Sequence, residues 1–337
     1  MGKNYDDTED AIFNIFSNNP KLAPVARKSV PKEIPIKKLP TIISTGSLSL
    51  DILLDKGGLP AGVTVELFGP ESTGKTTLIF HIIKEIQKLN GIVVYIDTEN
   101  VLDIEYASLI GIDINTLLVA QPETRRELFE MILTLAASDE VDAVIVDSIA
   151  GIIFQENEEG YTSLEEQVTS QFMNKLNRII EKTGTIVILT SQMRWRKKKY
   201  SKNSMVTTGG DPLKMYSKIR LKIKKSRNIK DFDDVIGNRV CVSVEKNVYK
   251  RKVDPPFSYA EFDIYFNTGI SRESEIIDLG IIYNIIQKKG SWYSYYENNK
   301  NKIIGQGRDT AIAFLRENPE LTNNLENLIN LTSQIFQ

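Results

Sequence analysis

The sequence predicts an α/β fold, with a mostly parallel central sheet flanked by helices, an N-terminal helical arm and a small α+β C-terminal domain. Three observations carry this. From about residue 41 to about residue 270, short near-continuous runs of Val, Ile and Leu alternate with helical patterns, as strands covered on both faces require. One of these runs leads through a glycine-bearing loop directly into a helix. Over 218–224 the period changes, and Lys218, Arg220, Lys222 and Lys224 alternate with Ile219, Leu221 and Ile223 at strand spacing.

In chain order, Asp10 to Ser17 carries a helical pattern with Ile12, Phe13, Ile15 and Phe16, followed by Pro20, Pro24, Pro31, Pro35 and Pro40. Residues 1–40 are therefore an arm and linker, whose helix is too short to fold alone and must dock on the core or on a neighbouring subunit. Strands are expected at Val63–Phe68, Ile92–Asp97, Leu117–Ala120, Val141–Asp147 and Ile186–Ser191. Helices are expected at Thr76–Leu89, Ile104–Leu109, Arg125–Ala137 and Leu164–Lys182. The alternating segment at 218–224 reads as a half-exposed antiparallel strand, with Val240–Glu245 and Tyr259–Phe266 as partners extending the same sheet. Residues 271–337 read as helix, a small aromatic hairpin around Trp292–Tyr296, and helix again, forming the C-terminal domain.

Composition excludes several classes. No apolar run approaches the roughly 18 residues that cross a bilayer, and the acidic start (Asp6, Asp7, Glu9, Asp10) is not a secretory signal, so a cytoplasmic location without membrane contact is expected. A single Cys241 and a single His81 supply neither a disulfide nor a zinc site, and both read as structural. The net charge of −2 gives no global pull on nucleic acid. Its distribution does: acidic residues crowd 156–166, whereas 194–230 is dominated by Lys and Arg.

Gly69, Pro70, Glu71, Ser72, Thr73, Gly74, Lys75 and Thr76 match the P-loop pattern between a strand and a helix, with Thr77 the next residue of that helix. Glycines let backbone N–H groups wrap phosphates, and the helix N-terminus adds a favourable dipole. Lys75 is expected on the β- and γ-phosphates of ATP, and Thr76 on Mg²⁺. Asp147 ends the apolar strand VDAVIVD and is the candidate carboxylate that holds Mg²⁺ through water. Ile92–Glu99 delivers Asp97 and Glu99 to the same crevice, because adjacent parallel strands bring their C-terminal ends together. The pattern leaves these two nearly equal as the group that orients the attacking water, with helix capping the alternative for either; Glu99 is preferred.

With those positions placed, the sequence resembles the bacterial RecA recombinases. The words that carry the likeness are Ile43–Gly62 (ISTGSLSLDILLDKGGLPAG), Thr207–Lys214 (TTGGDPLK), Asp254–Phe257 (DPPF), Lys289–Tyr295 (KGSWYSY) and Gly305–Gly307 (GQG), over about 41–320. The resemblance implies a RecA-type P-loop NTPase core at 41–270. It also implies Glu99 as the catalytic glutamate, Gln192 as the γ-phosphate sensor that signals to the DNA loop after it, and Asp103 and Tyr106 at adenine. Phe266 falls where a tyrosine usually packs on the base. Two lysines of one protomer are expected in the ATP site of its neighbour, as an arginine finger is elsewhere: Lys246, and Lys252 in preference to Lys250, because 247–252 contains an apparent insertion.

DNA loops are expected near 154–164 and at 193–210. The second carries Arg194, Arg196, Lys197, Lys198, Lys199 and Lys202 interleaved with Trp195 and Tyr200, and ends in Thr207, Thr208, Gly209 and Gly210. Cations track phosphates while rings stack on bases. The first is short and acidic (Glu156, Glu158, Glu159, Glu165, Glu166), with Gln167 where the family commonly has arginine, and the second is expected to compensate. Lys288, Lys289, Lys302 and Arg308 are candidate duplex contacts, and an ending at Leu331–Gln337 without an acidic tail implies weaker self-inhibition. The expected protein is thus an ATP-dependent recombinase forming helical homo-oligomeric filaments on single-stranded DNA, with ATP at protomer interfaces, and pairing that strand with homologous double-stranded DNA in recombination and repair. The alternatives are a RecA-fold motor or helicase, and a filament-forming regulatory relative without strand exchange.

Overall fold

The computed structural model describes residues 40–149, 163–196, 204–207, 210–249, 258–297 and 300–335, with the backbone of a short strand at Leu22–Pro24. That strand, β1, is followed by β2 (Ile42–Ile43), α1 (Leu48–Leu53), β3 (Leu59–Pro60), β4 (Thr64–Gly69), α2 (Lys75–Lys88), β5 (Val93–Asp97), α3 (Ile104–Ile110), β6 (Leu118–Ala120), α4 (Arg125–Ala137) and β7 (Ala143–Asp147). After these come α5 (Ser163–Thr183), β8 (Ile186–Arg196), β9 (Ser204–Thr207), α6 (Gly210–Tyr216), β10 (Ile219–Asp231), β11 (Asp234–Asn247), β12 (Tyr259–Tyr265) and β13 (Gly269–Ile270). The chain closes with α7 (Arg272–Ile282), β14 (Ile286–Lys289), β15 (Trp292–Glu297), β16 (Lys300–Gln306), α8 (Arg308–Glu317) and α9 (Pro319–Ile335). The expected helix at 10–17 falls outside the described residues.

Local chemistry sets the helix starts. Ser47, Asp103, Thr124 and Ser271 each turn a side-chain oxygen onto a first-turn N–H of α1, α3, α4 and α7, satisfying donors that a helix cannot pair internally.

The main sheet runs β1-β6-β5-β7-β8-β4-β10-β11-β12-β13. Pairing is parallel from β6 to β10 and antiparallel at β1 and from β10 onward. Alternate residues of the parallel strands supply two cores. Val65, Leu67, Val93, Tyr95, Ile145 and Ile188 pack against α2, while Val94, Ile96, Val144, Val146, Val187 and Leu189 pack against α4 and α5. Burial on both faces is the reason these segments read as unbroken apolar runs.

Three expectations need correction. β10 is not a half-exposed antiparallel strand throughout: residues 219–222 pair in parallel with β4, and Arg220 is buried with its Nε donating to Glu66 Oε2 at 2.5 Å. The aromatic hairpin is a three-stranded sheet, β14-β15-β16, followed by two helices. Arg308 is not a free cation for DNA. Its Nη1 donates to Asp263 at 2.7 Å, and its Nη2 donates to Asp278 at 2.8 Å and to Ser274 at 2.6 Å. Arg239 on β11 bonds the same two carboxylates, so two guanidiniums and two acids tie the main sheet to α7 and α8. Burial opposes ionisation of Asp263, but the Ser274 hydroxyl and the Arg308 guanidinium outweigh it and hold that carboxyl below its usual range.

His81 and Cys241 have structural places. His81 Nε2 accepts the Ile270 N–H at 2.8 Å, and burial, with Lys84 and Lys88 nearby, pushes its pKa down to about 3, so it stays a neutral acceptor. Cys241 lies half-buried on β11, where burial raises its pKa.

The C-terminal elements share a third core, into which α1 sends Ile52. Beside it, the Glu275 carboxyl of α7 accepts the N–H groups of Leu48 and Ser49 and the hydroxyls of Ser47 and Ser49, closing the N-terminus of α1. Asp51 of α1, equally buried, accepts from Ser44 and Thr45. Burial pushes both carboxyls up to about 7, from 4.5 for Glu275 and 3.8 for Asp51, against the pull of their hydrogen bonds. The folded chain therefore keeps protons that the unfolded chain releases from about pH 4 upward. Stability from this pair is full below that pH and is lost as pH rises towards 7. The urea midpoint is expected to fall between pH 5 and pH 8, and Glu275→Gln to flatten that slope. In the ion-pair joint, Arg308→Ala is expected to cost about 2–3 kcal/mol in urea unfolding, because Asp263 stays buried with one cation fewer. Lys302→Ala, which breaks the exposed pair with Glu297, is expected to leave the midpoint in place.

Candidate nucleotide site

The loop from β4 to α2 is shaped by close backbone approach. A Cβ on Gly69 would lie 2.2 Å from the Ile223 carbonyl oxygen of β10, so only glycine fits there. Ser72 (φ 55) and Gly74 (φ 94) take left-handed conformations that curl the loop back on itself. Gly74 caps α2 without a side-chain hydrogen bond, which leaves the first-turn N–H groups pointing at the loop interior, the arrangement that receives an anion. Lys75 Nζ folds into this loop, donating to the carbonyls of Pro70 at 2.7 Å and Gly69 at 3.2 Å. Burial pulls its pKa down, while Asp147, Glu71 and Glu99 work to keep it charged. Thr73 braces the turn through its hydroxyl, which donates to the Pro70 carbonyl at 2.8 Å.

Strand register brings the acids to this loop. Asp97 at the end of β5 pairs in register with Asp147 at the end of β7. Asp147 accepts from Thr76 Oγ1 at 2.8 Å and Tyr95 OH at 3.0 Å on Oδ2, and from Thr190 Oγ1 at 2.7 Å on Oδ1. Burial, then the charge of Asp147, hold the Tyr95 phenol well above its usual range. The two acids at the end of β5 part company here. Asp97 is buried and accepts the N–H groups of Glu99, Val101 and Leu102, so it braces the loop after the strand. Glu99 is exposed, and its Oε1 accepts from the Ser148 hydroxyl and from Gln192 Nε2 at 3.4 Å. Of the pair the sequence left open, Asp97 is buried and Glu99 is exposed.

Thr76 and Asp147 present a hydroxyl and a carboxylate 2.8 Å apart, a hard oxygen pair. Among the described residues no group of three or more His, Cys, Asp or Glu could hold a metal by itself. That donor set fits a magnesium ion that keeps its waters and is completed by phosphate oxygens.

Beside the loop opens a cleft of about 570 Å³, lined by Ser72–Thr77, Tyr106, Lys225, Asn238, Val240, Ile264 and Phe266. Tyr106 OH and Thr77 Oγ1 are 3.0 Å apart, and Asp103 fixes α3 by accepting the Tyr106 N–H at 2.9 Å. Phe266, 47% exposed, forms an apolar wall. Tyr106, Thr77 and Phe266 are thus brought together from three distant segments. Lys225, Asn238, Val240 and Ile264 escaped the sequence reading because they lie on β10, β11 and β12, and no local pattern marks a strand residue that faces a remote loop.

Gln192 is not at a strand end. β8 continues to Arg196, and residues 193–196 pair antiparallel with β9, so the expected loop at 193–210 begins as a β-hairpin whose backbone includes Arg194, Trp195, Arg196 and Thr207. Gly210 (φ 67) then opens α6. Lys197, Lys198, Lys199, Tyr200, Lys202, Thr208 and Gly209 lie outside the described residues, as do Lys250, Lys252 and the acidic stretch 150–162. Lys246 lies apart from the cleft, its Nζ donating to the Met215 carbonyl at the end of α6 at 2.7 Å. Burial and the neighbouring Arg220 lower its pKa. Among the described residues no helix is long and apolar enough to cross a membrane.

Comparison with known proteins agrees along nearly the whole length. The family model described as the RecA N-terminal domain matches residues 32–271, and that described as the RecA C-terminal domain matches residues 274–333. The chain is 43% identical over 293 residues to the Protein RecA of Bordetella avium, spanning 86% of this chain and 81% of that relative. The Protein RecA of Bordetella pertussis and that of Bordetella bronchiseptica match at the same identity and coverage. With two family models together spanning most of residues 32–333 and relatives 43% identical over 86% of its length, the chain belongs to the RecA family of DNA recombinases.

Proposed function

We propose that this protein couples ATP binding and hydrolysis to the gripping of single-stranded DNA and its exchange with a homologous duplex. One contact carries the reading: Glu99, the candidate base, accepts a hydrogen bond from Gln192, and Gln192 lies on the strand that runs without interruption into the cationic hairpin. A γ-phosphate placed between these two side chains competes for the amide of Gln192. Any shift of Gln192 is passed along the β8 backbone to Arg194 and beyond.

In the reaction the bond from the γ-phosphorus to the β–γ bridging oxygen breaks, and a water oxygen takes its place, giving ADP and phosphate. Glu99 orients that water and accepts its proton. Lys75 leaves the Gly69 and Pro70 carbonyls to meet the β- and γ-phosphates, and the free N–H groups of the first turn of α2 hold their remaining oxygens. Thr76 and Asp147 hold the divalent cation, which neutralises phosphate charge when bound. Tyr106 and Phe266 flank the base, with Asp103 setting α3 in place.

Lys246, which lies apart from the cleft of its own protomer, and Lys252 complete the site of the next protomer, which makes turnover depend on filament assembly. The backbone segment Arg194–Arg196 and the residues after it, Lys197–Lys199, Tyr200 and Lys202, with Thr207–Gly210, take the phosphates and bases of the strand.

Lys75→Ala is expected to abolish nucleotide-dependent filament assembly. Glu99→Gln is expected to leave assembly intact and slow phosphate release by at least about 100-fold, the usual contribution of a positioned base. Electron microscopy of filament length and a phosphate-release assay check both, and normal turnover in Glu99→Gln would reject the choice of base. Neutralising Arg196, Lys197 and Lys198 together is expected to weaken single-strand binding and to flatten its salt dependence by roughly 0.7 log units per lost phosphate contact. An unchanged slope in a fluorescence-anisotropy titration removes these residues from the interface.

A further inference from the structure

Asp147 accepts hydrogen bonds from three side-chain hydroxyls. Thr190 donates to one carboxylate oxygen, while Thr76 and Tyr95 both donate to the other. Thr76 belongs to the phosphate loop, and Thr190 ties Asp147 to β8 while lying 3.3 Å from the Val146 carbonyl as well. Tyr95 differs from both. It is completely buried, its ring packs 6.1 Å from Phe80 at 55°, and it does not line the nucleotide cleft.

Register explains how it reaches the acid. Tyr95 stands opposite Ile145 on the neighbouring parallel strand, two residues before the Asp97 and Asp147 pair, and therefore on the same face of the sheet. A phenol is long enough to span that diagonal, whereas a phenylalanine would fill the same apolar space and leave the carboxylate oxygen without this donor.

We propose that Tyr95 is a positioning residue for the divalent cation of the nucleotide site. Its hydroxyl pins Asp147 Oδ2 and so fixes the directions in which the carboxylate can accept hydrogen bonds from the water shell of the metal. The proposal rests on the reading above that Asp147 holds magnesium through water. A carboxylate at a strand end rotates freely about its last bond, and outer donors of this kind orient metal ligands; their loss typically costs 10–100-fold in metal affinity. Thr76 would itself turn its hydroxyl oxygen to a bound cation, which would leave Tyr95 as the donor on Oδ2.

The test is the magnesium dependence of nucleotide binding by the full chain. A fluorescent ATP analogue is titrated at fixed concentration, once with EDTA and then with increasing Mg²⁺, for the parent, Tyr95→Phe and Asp147→Asn. Tyr95→Phe is expected to raise the Mg²⁺ half-point by about tenfold. Its binding in EDTA should match the parent, and saturating Mg²⁺ should restore its full signal. Equal losses with and without Mg²⁺ would trace the effect to ring packing and overturn the assignment. An unmoved half-point in Tyr95→Phe beside a raised one in Asp147→Asn also overturns it, while leaving the metal reading intact. An unmoved half-point in both variants removes the metal reading, and the role of Tyr95 with it.

Discussion

The register of the parallel strands is the constraint on which the site depends. Gly69 pairs with Gln192 across β4 and β8, and Asp97 pairs with Asp147 across β5 and β7. These pairings place the phosphate loop, Gln192 and Asp147 at the C-terminal ends of the central strands. A slip of one residue in any strand would turn each of these side chains to the opposite face and its apolar neighbours with it. Two fully apolar cores, one on each face, penalise such a slip, so the packing of α2 on one side and of α4 and α5 on the other aligns the chemistry.

Buried charge is used to fasten rather than to react. Glu66 is fully buried on β4 and pairs with Arg220 on β10, which also lies 4.5 Å over the Phe68 ring, while the second oxygen of Glu66 has no hydrogen-bond partner among the described residues. Such a pair gains little stability over an apolar replacement, and breaking it by removing one partner leaves an uncompensated buried charge. At the far edge, Arg239 and Arg308 share Asp263 and Asp278, and Glu275 closes the first turn of α1. The C-terminal elements are therefore fixed to the nucleotide-binding sheet by directional polar contacts as well as by the core that Ile52 enters.

The path from Glu99 to the hairpin after Gln192 is short. Glu99, Gln192 and the hairpin arms at 193–196 and 204–207 form a single path of one side-chain contact and one continuous strand. β8 is paired to β7 as far as Leu189 and to β4 as far as Gln192. Once beyond these neighbours it has only β9 beside it among the described residues, and there the cationic residues begin.

Much of this protein was legible in the sequence because its signals are local. The phosphate loop needs glycine at particular backbone angles and the central strands need apolar side chains on both faces, so each announces itself within a few residues. Asp147 and Glu99 could be proposed because strand ends in a parallel sheet converge by rule. What the sequence by itself determined was thus the fold class, the phosphate loop and the candidate acids. Tertiary structure alone gave Asp97 and Glu99 different surroundings, by giving Asp97 three backbone donors to hold and leaving Glu99 exposed. It also buried Arg220, tied Arg308 to two carboxylates and set Tyr95 against Asp147. The physical reason is common to all of these: a charge or hydroxyl on a strand or helix reads the same whether it meets water or a partner, and only packing across distant segments determines which.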